Sequence, residues 1–211
     1  MKFLIKICGV TRPEDAAYAA KAGAGAIGIN FWPGSKRFVE DTRAREIVDA
    51  IPAGVLKVGV FVNAHPLVVT ETAAELKLDR IQLHGDERAA SWTNLARPQL
   101  IRAVRVQDRA SLEDVDEWQA GLRIYDAFVE GYGGKGQTAP WDLVASSALR
   151  PFLLAGGLTP GNVAEAIRAT RPDGVDVASG VESRPGIKDR RKLRAFIDNA
   201  SKAAQALVAK R

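Results

Sequence analysis

The chain has 211 residues, 46% of them hydrophobic and 26% charged, the arithmetic of one domain with a full-sized core rather than of a disordered segment. Thirty Lys and Arg against 25 Asp and Glu leave a net charge of +5, which favours anionic partners but is spread too evenly to mark a nucleic-acid-binding protein. A single cysteine excludes an internal disulfide and suits a reducing cytosol; with no export leader and no apolar run long enough for a membrane span, a cytoplasmic location is expected.

Eight β-rich runs alternate with helical stretches along the chain, at 3–8, 26–30, 55–62, 80–84, 100–106, 122–128, 151–155 and 174–179. Strict alternation predicts a parallel sheet, and eight units in this length predict an α/β fold, a single (βα)8 barrel over 1–211, with an open doubly wound sheet as the structural alternative. Thr11 and Glu14 predict a capping box for the first helix, and Ala44, Ile47, Val48 and Ile51 give the second its buried stripe. His65, followed by Pro66 at a helix start, reads as a structural residue rather than a ligand. Thr159 with Pro160 predicts another start, feeding Val163, Ala166 and Ile167 into the core. The basic run Lys188, Arg190, Arg191, Lys192 and Arg194, broken by Asp189, reads as the solvated start of the last helix. The glycine-rich stretch 131–136 lies inside this pattern as a long loop after the sixth strand.

Period-two alternation sorts the strands' side chains by face. Lys6 and Cys8 share the inward face of the first strand, Arg80, Gln82 and His84 that of the fourth, and Leu122, Ile124 and Asp126 align on the sixth. In a barrel the carboxyl ends of the strands carry the chemistry, so Cys8, Asn63, His84, Asp126 and Ser179 are candidate site residues. Gly156 and Gly157 end the seventh strand and Gly180 follows the eighth, the two loops where such barrels most often hold a phosphate through backbone N–H groups. The expected ligand is a phosphorylated small molecule.

Six segments then resemble one family in order and spacing: Lys6-Ile7-Cys8-Gly9, Gly34-Ser35-Lys36-Arg37-Phe38, Phe61-Val62-Asn63, Gln82-Leu83-His84-Gly85, Leu154-Ala155-Gly156-Gly157-Leu158, and Val175 to Glu182. They look like the phosphoribosylanthranilate isomerases of tryptophan biosynthesis, from Lys6 to Asp189. The resemblance implies a cofactor-free (βα)8 enzyme with no metal, which converts N-(5-phospho-β-D-ribosyl)anthranilate into 1-(2-carboxyphenylamino)-1-deoxy-D-ribulose 5-phosphate. It further implies Cys8 as general base, Asp126 as general acid, Arg37 on the anthranilate carboxylate, and Gly156, Gly157 and Gly180 at the phosphate. His84 and Asp176 fall on motif positions lining the pocket. The chain departs from the family pattern at Ala139-Pro140-Trp141, where an acid is lost before the tryptophan, and at Ala178-Ser179, where two serines are more usual.

The proposed base needs help, because an ordinary thiol is mostly protonated at neutral pH. Lys6 either lowers the thiol's pKa by its charge or pairs with Asp126 or Asp176 and leaves sulfur alone. Trp32, Trp92 and Trp118 read as packing residues, and Trp141 as a pocket cover or helix anchor. Rival readings are another phosphosugar barrel, of the indole-glycerol-phosphate synthase or histidine-pathway isomerase kind, and a non-catalytic barrel that binds phosphorylated ligands. Neither nucleic acid nor membrane is an expected partner, and a monomer or a homodimer is the expected assembly.

Overall fold

The computed structural model describes residues 3–96, 99–113, 115–127 and 140–209. The predicted loop 131–136, Phe128 and Ala139 lie outside them. Eight parallel strands close into one barrel in sequence order: β1 Leu4–Ile7, β2 Ala26–Asn30, β3 Leu56–Phe61, β4 Arg80–Leu83, β5 Leu100–Val106, β6 Leu122–Ala127, β7 Phe152–Leu154 and β8 Gly174–Val177. Each lies within a predicted run, trimmed by up to two residues at an end. Closure comes at the β1–β8 seam, where Leu4 to Ile7 pair in register with Gly174 to Val177.

The barrel interior divides by chemistry. Ala26, Val58, Ile101, Ala103, Leu122, Ile124, Leu153 and Ala155, from β2, β3, β5, β6 and β7 with the residue after it, pack as one apolar cluster. β1, β4 and β8 contribute Lys6, Gln82 and Asp176, all buried. Register explains the pairing of the first and last of these, since Lys6 and Asp176 are direct neighbours across the seam and therefore face the same way.

The outer ring is formed by α1 Pro13–Ala22, α2 Asp41–Asp49, α3 Pro66–Glu75, α4 Trp141–Ser147, α5 Val163–Thr170 and α6 Arg190–Val208. Between β4 and β5 lies the 3-10 turn Ala89–Trp92, and between β5 and β6 the turns Ala110–Leu112 and Val115–Trp118, with no α-helix among the described residues of either connection. Trp92 is buried there, and Trp118 lies under the Arg102 guanidinium at 4.4 Å, a packing role for both. The longest helix, α6, buries Leu193, Phe196, Ile197, Ala200, Ala203 and Ala204, a stripe at helical spacing, and its N-cap Asp189 accepts from the Arg191 and Lys192 amides. No described helix is long and apolar enough to cross a membrane.

Three local expectations are corrected. Thr11 forms no capping box: α1 starts at Pro13 after Arg12, and the Thr11 hydroxyl donates instead to the Gly186 carbonyl at 2.7 Å. α5 begins at Val163, after Asn162, and not at Pro160; the Asn162 side chain accepts from the Thr159 amide at 2.8 Å and donates to the Gly157 carbonyl at 3.0 Å, stitching the loop ahead of the helix. Lys188 is not a solvated helix residue. It lies in a hairpin of β9 Glu182–Arg184 and β10 Ile187–Lys188, and is 4% exposed. His65 caps α3, accepting from the Leu67 amide at 3.3 Å.

Candidate active site

Every strand-end residue singled out from the sequence lies at the carboxyl-terminal mouth of the barrel, as parallel strands of one sense require. Cys8 follows β1 and is partly exposed. It shares the inward face with Lys6, and both crowd Gly28 on β2: a methyl built there would lie 2.8 Å from the Cys8 sulfur and 3.0 Å from the Lys6 Nζ. The Lys6 ammonium donates to Asp176 Oδ1 at 3.0 Å, and both side chains are almost wholly buried.

The two readings of Lys6 are therefore not exclusive. Its ammonium bonds Asp176 and also acts on the thiol by charge. Burial nevertheless dominates at Cys8 and holds the thiol above its ordinary value; Lys6 pulls it down, Asp176 pushes it up, and Lys188 lowers it. At Lys6 burial works against the charged form, but Asp176 and Cys8 outweigh it and the ammonium holds its proton more tightly than usual.

Asp126 ends the inward face of β6 and is 18% exposed at its side chain. His84, just after β4, places Nε2 at 3.4 Å from Asp126 Oδ2, while its Nδ1 lies 3.0 Å from Gln82 Nε2. Nε2, the ring nitrogen that faces the carboxylate, makes no hydrogen bond among the described residues. Arg105, the register neighbour of Asp126 on β5, shares its inward face and forms an ion pair with Asp86. Asn63, after β3, accepts from the Asp86 amide at 2.7 Å through Oδ1 and thus braces the loop after β4.

The glycine loops stand between these groups. In the closed ring, β7 and β8 separate β6 from β1. Gly156 (φ +84°) and Gly157 (φ +59°) use left-handed backbone, and a methyl on Gly156 would come within 2.4 Å of the Ala127 amide nitrogen and 2.9 Å of Asp126 Oδ1. Gly180 is in the 3-10 turn Ser179–Val181, and its need for glycine comes from packing: a methyl would lie 1.8 Å from the Leu158 carbonyl oxygen. Gly180→Ala is expected to force the two loops apart and to destabilise the protein by about 1–3 kcal/mol, measurable as a lowered urea midpoint at unchanged slope.

Arg37, in the loop after β2, makes a two-pronged pair with Glu182, from Nε at 2.8 Å and from Nη2 at 2.7 Å. Lys188 closes on the same carboxylate at 2.8 Å and also donates to the carbonyls of Cys8 at 2.6 Å and Ala178 at 3.2 Å. Burial favours the neutral acid of Glu182, but the Arg37 bonds and the Lys188 charge outweigh it and hold the carboxyl below its usual range. Glu182 closes the last of the six motif segments, yet the sequence gives it no role. Lys188 is hidden in a basic run that looks solvated. Trp141 begins α4 and packs against the main core, as a helix anchor would; its indole N–H has no partner among the described residues.

The family described as N-(5'phosphoribosyl)anthranilate (PRA) isomerase matches residues 5–199. The N-(5'-phosphoribosyl)anthranilate isomerase of Dechloromonas aromatica is 45% identical over 209 residues, 98% of this chain and 100% of the relative. That of Pseudomonas paraeruginosa is 47% identical over 197 residues, 92% of this chain and 93% of the relative. Among solved structures, phosphoribosyl anthranilate isomerase from Thermotoga maritima superposes with a TM-score of 0.89 at 38% identity, covering 95% of this chain and 99% of that one. A second, in complex with reduced 1-(o-carboxyphenylamino)-1-deoxyribulose 5-phosphate, gives 0.85 at 36% identity with the same coverage.

Proposed function

Because the chain belongs to the N-(5'-phosphoribosyl)anthranilate isomerase family, we propose that it rearranges that substrate with Asp126 as general acid and Cys8 as general base. The reaction is an aldose–ketose isomerisation in tryptophan biosynthesis. A proton from the Asp126 carboxyl to the furanose oxygen opens the ribose ring and leaves a Schiff base at C1′. The Cys8 thiolate removes the C2′ proton, giving an enolamine that tautomerises to the ketose product. The reaction neither gains nor loses electrons, so one acid and one base suffice for it.

What carries this reading is the order of groups around the mouth: Cys8 after β1 and Asp126 on β6, with the glycine loops of β7 and β8 between them. A phosphate on those loops would leave the ribose within reach of both groups. His84 faces Asp126 at 3.4 Å and is suited to steady its carboxyl or bond a ribose hydroxyl. Asp176 takes its part through Lys6. Arg37, permanently charged and planar, is suited to the ring carboxylate. A cytosolic setting fits the single free thiol.

The purified protein is expected to consume phosphoribosylanthranilate, followed as loss of its anthranilate fluorescence, without added metal or cofactor. Turnover of an indole-glycerol-phosphate or histidine-pathway precursor in its place would overturn the assignment. Sedimentation separates a monomer from a homodimer; the Thermotoga maritima relative is described as dimeric.

A further inference from the structure

Arg37, Glu182 and Lys188 form one nearly buried ionic unit, with Glu182 6% and Lys188 4% exposed. The Arg37 stem rests on Gly9, where φ is +65° and a methyl would lie 2.3 Å from Arg37 Cδ, so this residue passes directly beside the Cys8 main chain. Its Nε and Nη2 are both given to Glu182. Those bonds use one edge of a planar fork that has two. The other edge, Nη1 with the second proton of Nη2, bonds no described residue, and a second carboxylate can be received there through two parallel bonds.

Charge and hydrogen-bond supply both fit such a second carboxylate. Two cations against one anion leave the unit at +1, which one further carboxylate neutralises. Lys188 spends its three protons on Glu182, on the Cys8 carbonyl and on the Ala178 carbonyl. The carboxylate that holds Arg37 is thereby fixed to the strand end bearing the thiol and to the residue before the Ser179–Val181 turn.

We propose that Glu182, backed by Lys188, is a positioning residue for recognition of the substrate's ring carboxylate, fixing the plane of Arg37 so that its second edge receives that group. The proposal rests on the reading of Arg37 as the carboxylate anchor. It opposes the alternative that Glu182 competes with substrate for the guanidinium. A preset fork loses less side-chain freedom on binding than a free one, which is the source of its effect.

The test is the KM and kcat of Glu182→Gln on phosphoribosylanthranilate and on the phosphoribosyl aniline analogue, which lacks only the ring carboxylate. KM for the natural substrate is expected to rise about tenfold, with KM for the analogue and both kcat values within about threefold of the parent. Because the two substrates are compared on the same enzyme, a general loss of fold does not mimic this split. Should Glu182→Gln fold poorly with the Lys188 charge left unpaired, the double variant Glu182→Gln/Lys188→Met removes both charges and is expected to show the same split. A lower KM for the natural substrate would make Glu182 a competitor and overturn the proposal, as would equal losses on both substrates. Arg37→Gln separates this inference from its premise: abolished discrimination in Arg37→Gln with full discrimination in Glu182→Gln defeats the inference alone, whereas discrimination surviving in Arg37→Gln defeats both.

Discussion

Asp126→Asn and Cys8→Ser are each expected to lower kcat by at least about a hundredfold, the lower end of what a positioned acid or base contributes. Asn keeps the size and polar contacts of Asp126 but has no acidic proton for the furanose oxygen. Ser keeps a hydroxyl in place of the thiol but is far too weak an acid to become a base near neutral pH. KM is expected to change little in both variants, because neither side chain belongs to the phosphate loops or the Arg37 unit, and interactions made only in the transition state appear in kcat. The measurement is steady-state loss of substrate fluorescence, with the urea midpoint as control for folding. The two losses should not multiply in the double variant, since ring opening and C2′ deprotonation are successive steps on one path. Turnover within a few-fold of the parent in either single variant would remove that residue from its role.

Much of this geometry was legible because a parallel barrel converts simple sequence rules into positions. Alternation sets which face a side chain takes, and a shared strand direction sends every carboxyl end to one mouth. Cys8, His84 and Asp126 could therefore be placed together before any contact was known. The rules fail where a residue's partner is distant in sequence and no periodicity reports it. Lys188 looked like one more solvated charge because nothing local reveals that a tight hairpin folds it against Glu182 and the Cys8 carbonyl. Thr11 carried a sound capping signature, but a bond to the Gly186 carbonyl, 175 positions away, claims its hydroxyl. For Gly180 the sequence suggests only the approach of a phosphate, and nothing local to it reveals the Leu158 carbonyl packed against it. Lys6 presented an either-or choice in the sequence because one-dimensional spacing assigns one partner at a time. An ammonium can bond a carboxylate and act on a nearby sulfur by its charge at the same time.

Lys6→Met is expected to be the most damaging substitution for the fold, with a second and separable effect on the thiol. Asp176 would be left as an uncompensated charge inside the barrel, and breaking a buried pair in this way costs about 3–5 kcal/mol. Lys6 binds its proton more tightly folded than unfolded, so its contribution is complete below the unfolded pKa of about 10.4 and fades only as pH rises through the folded value. The deficit in urea midpoint should accordingly be the same throughout the neutral range. Lys6→Met/Asp176→Asn is expected to recover most of that stability, because the orphaned charge goes with its partner. The thiol should not recover. Burial, which already holds Cys8 high, acts without the Lys6 ammonium in both variants, so the sulfur titrates above the parent's value in each and furthest in the single variant, where Asp176 still repels a thiolate. Rates of thiol alkylation against pH read this directly, and the alkaline rise of kcat/KM should move upward with them. An unchanged thiol titration in Lys6→Met would show that the ammonium serves only the fold.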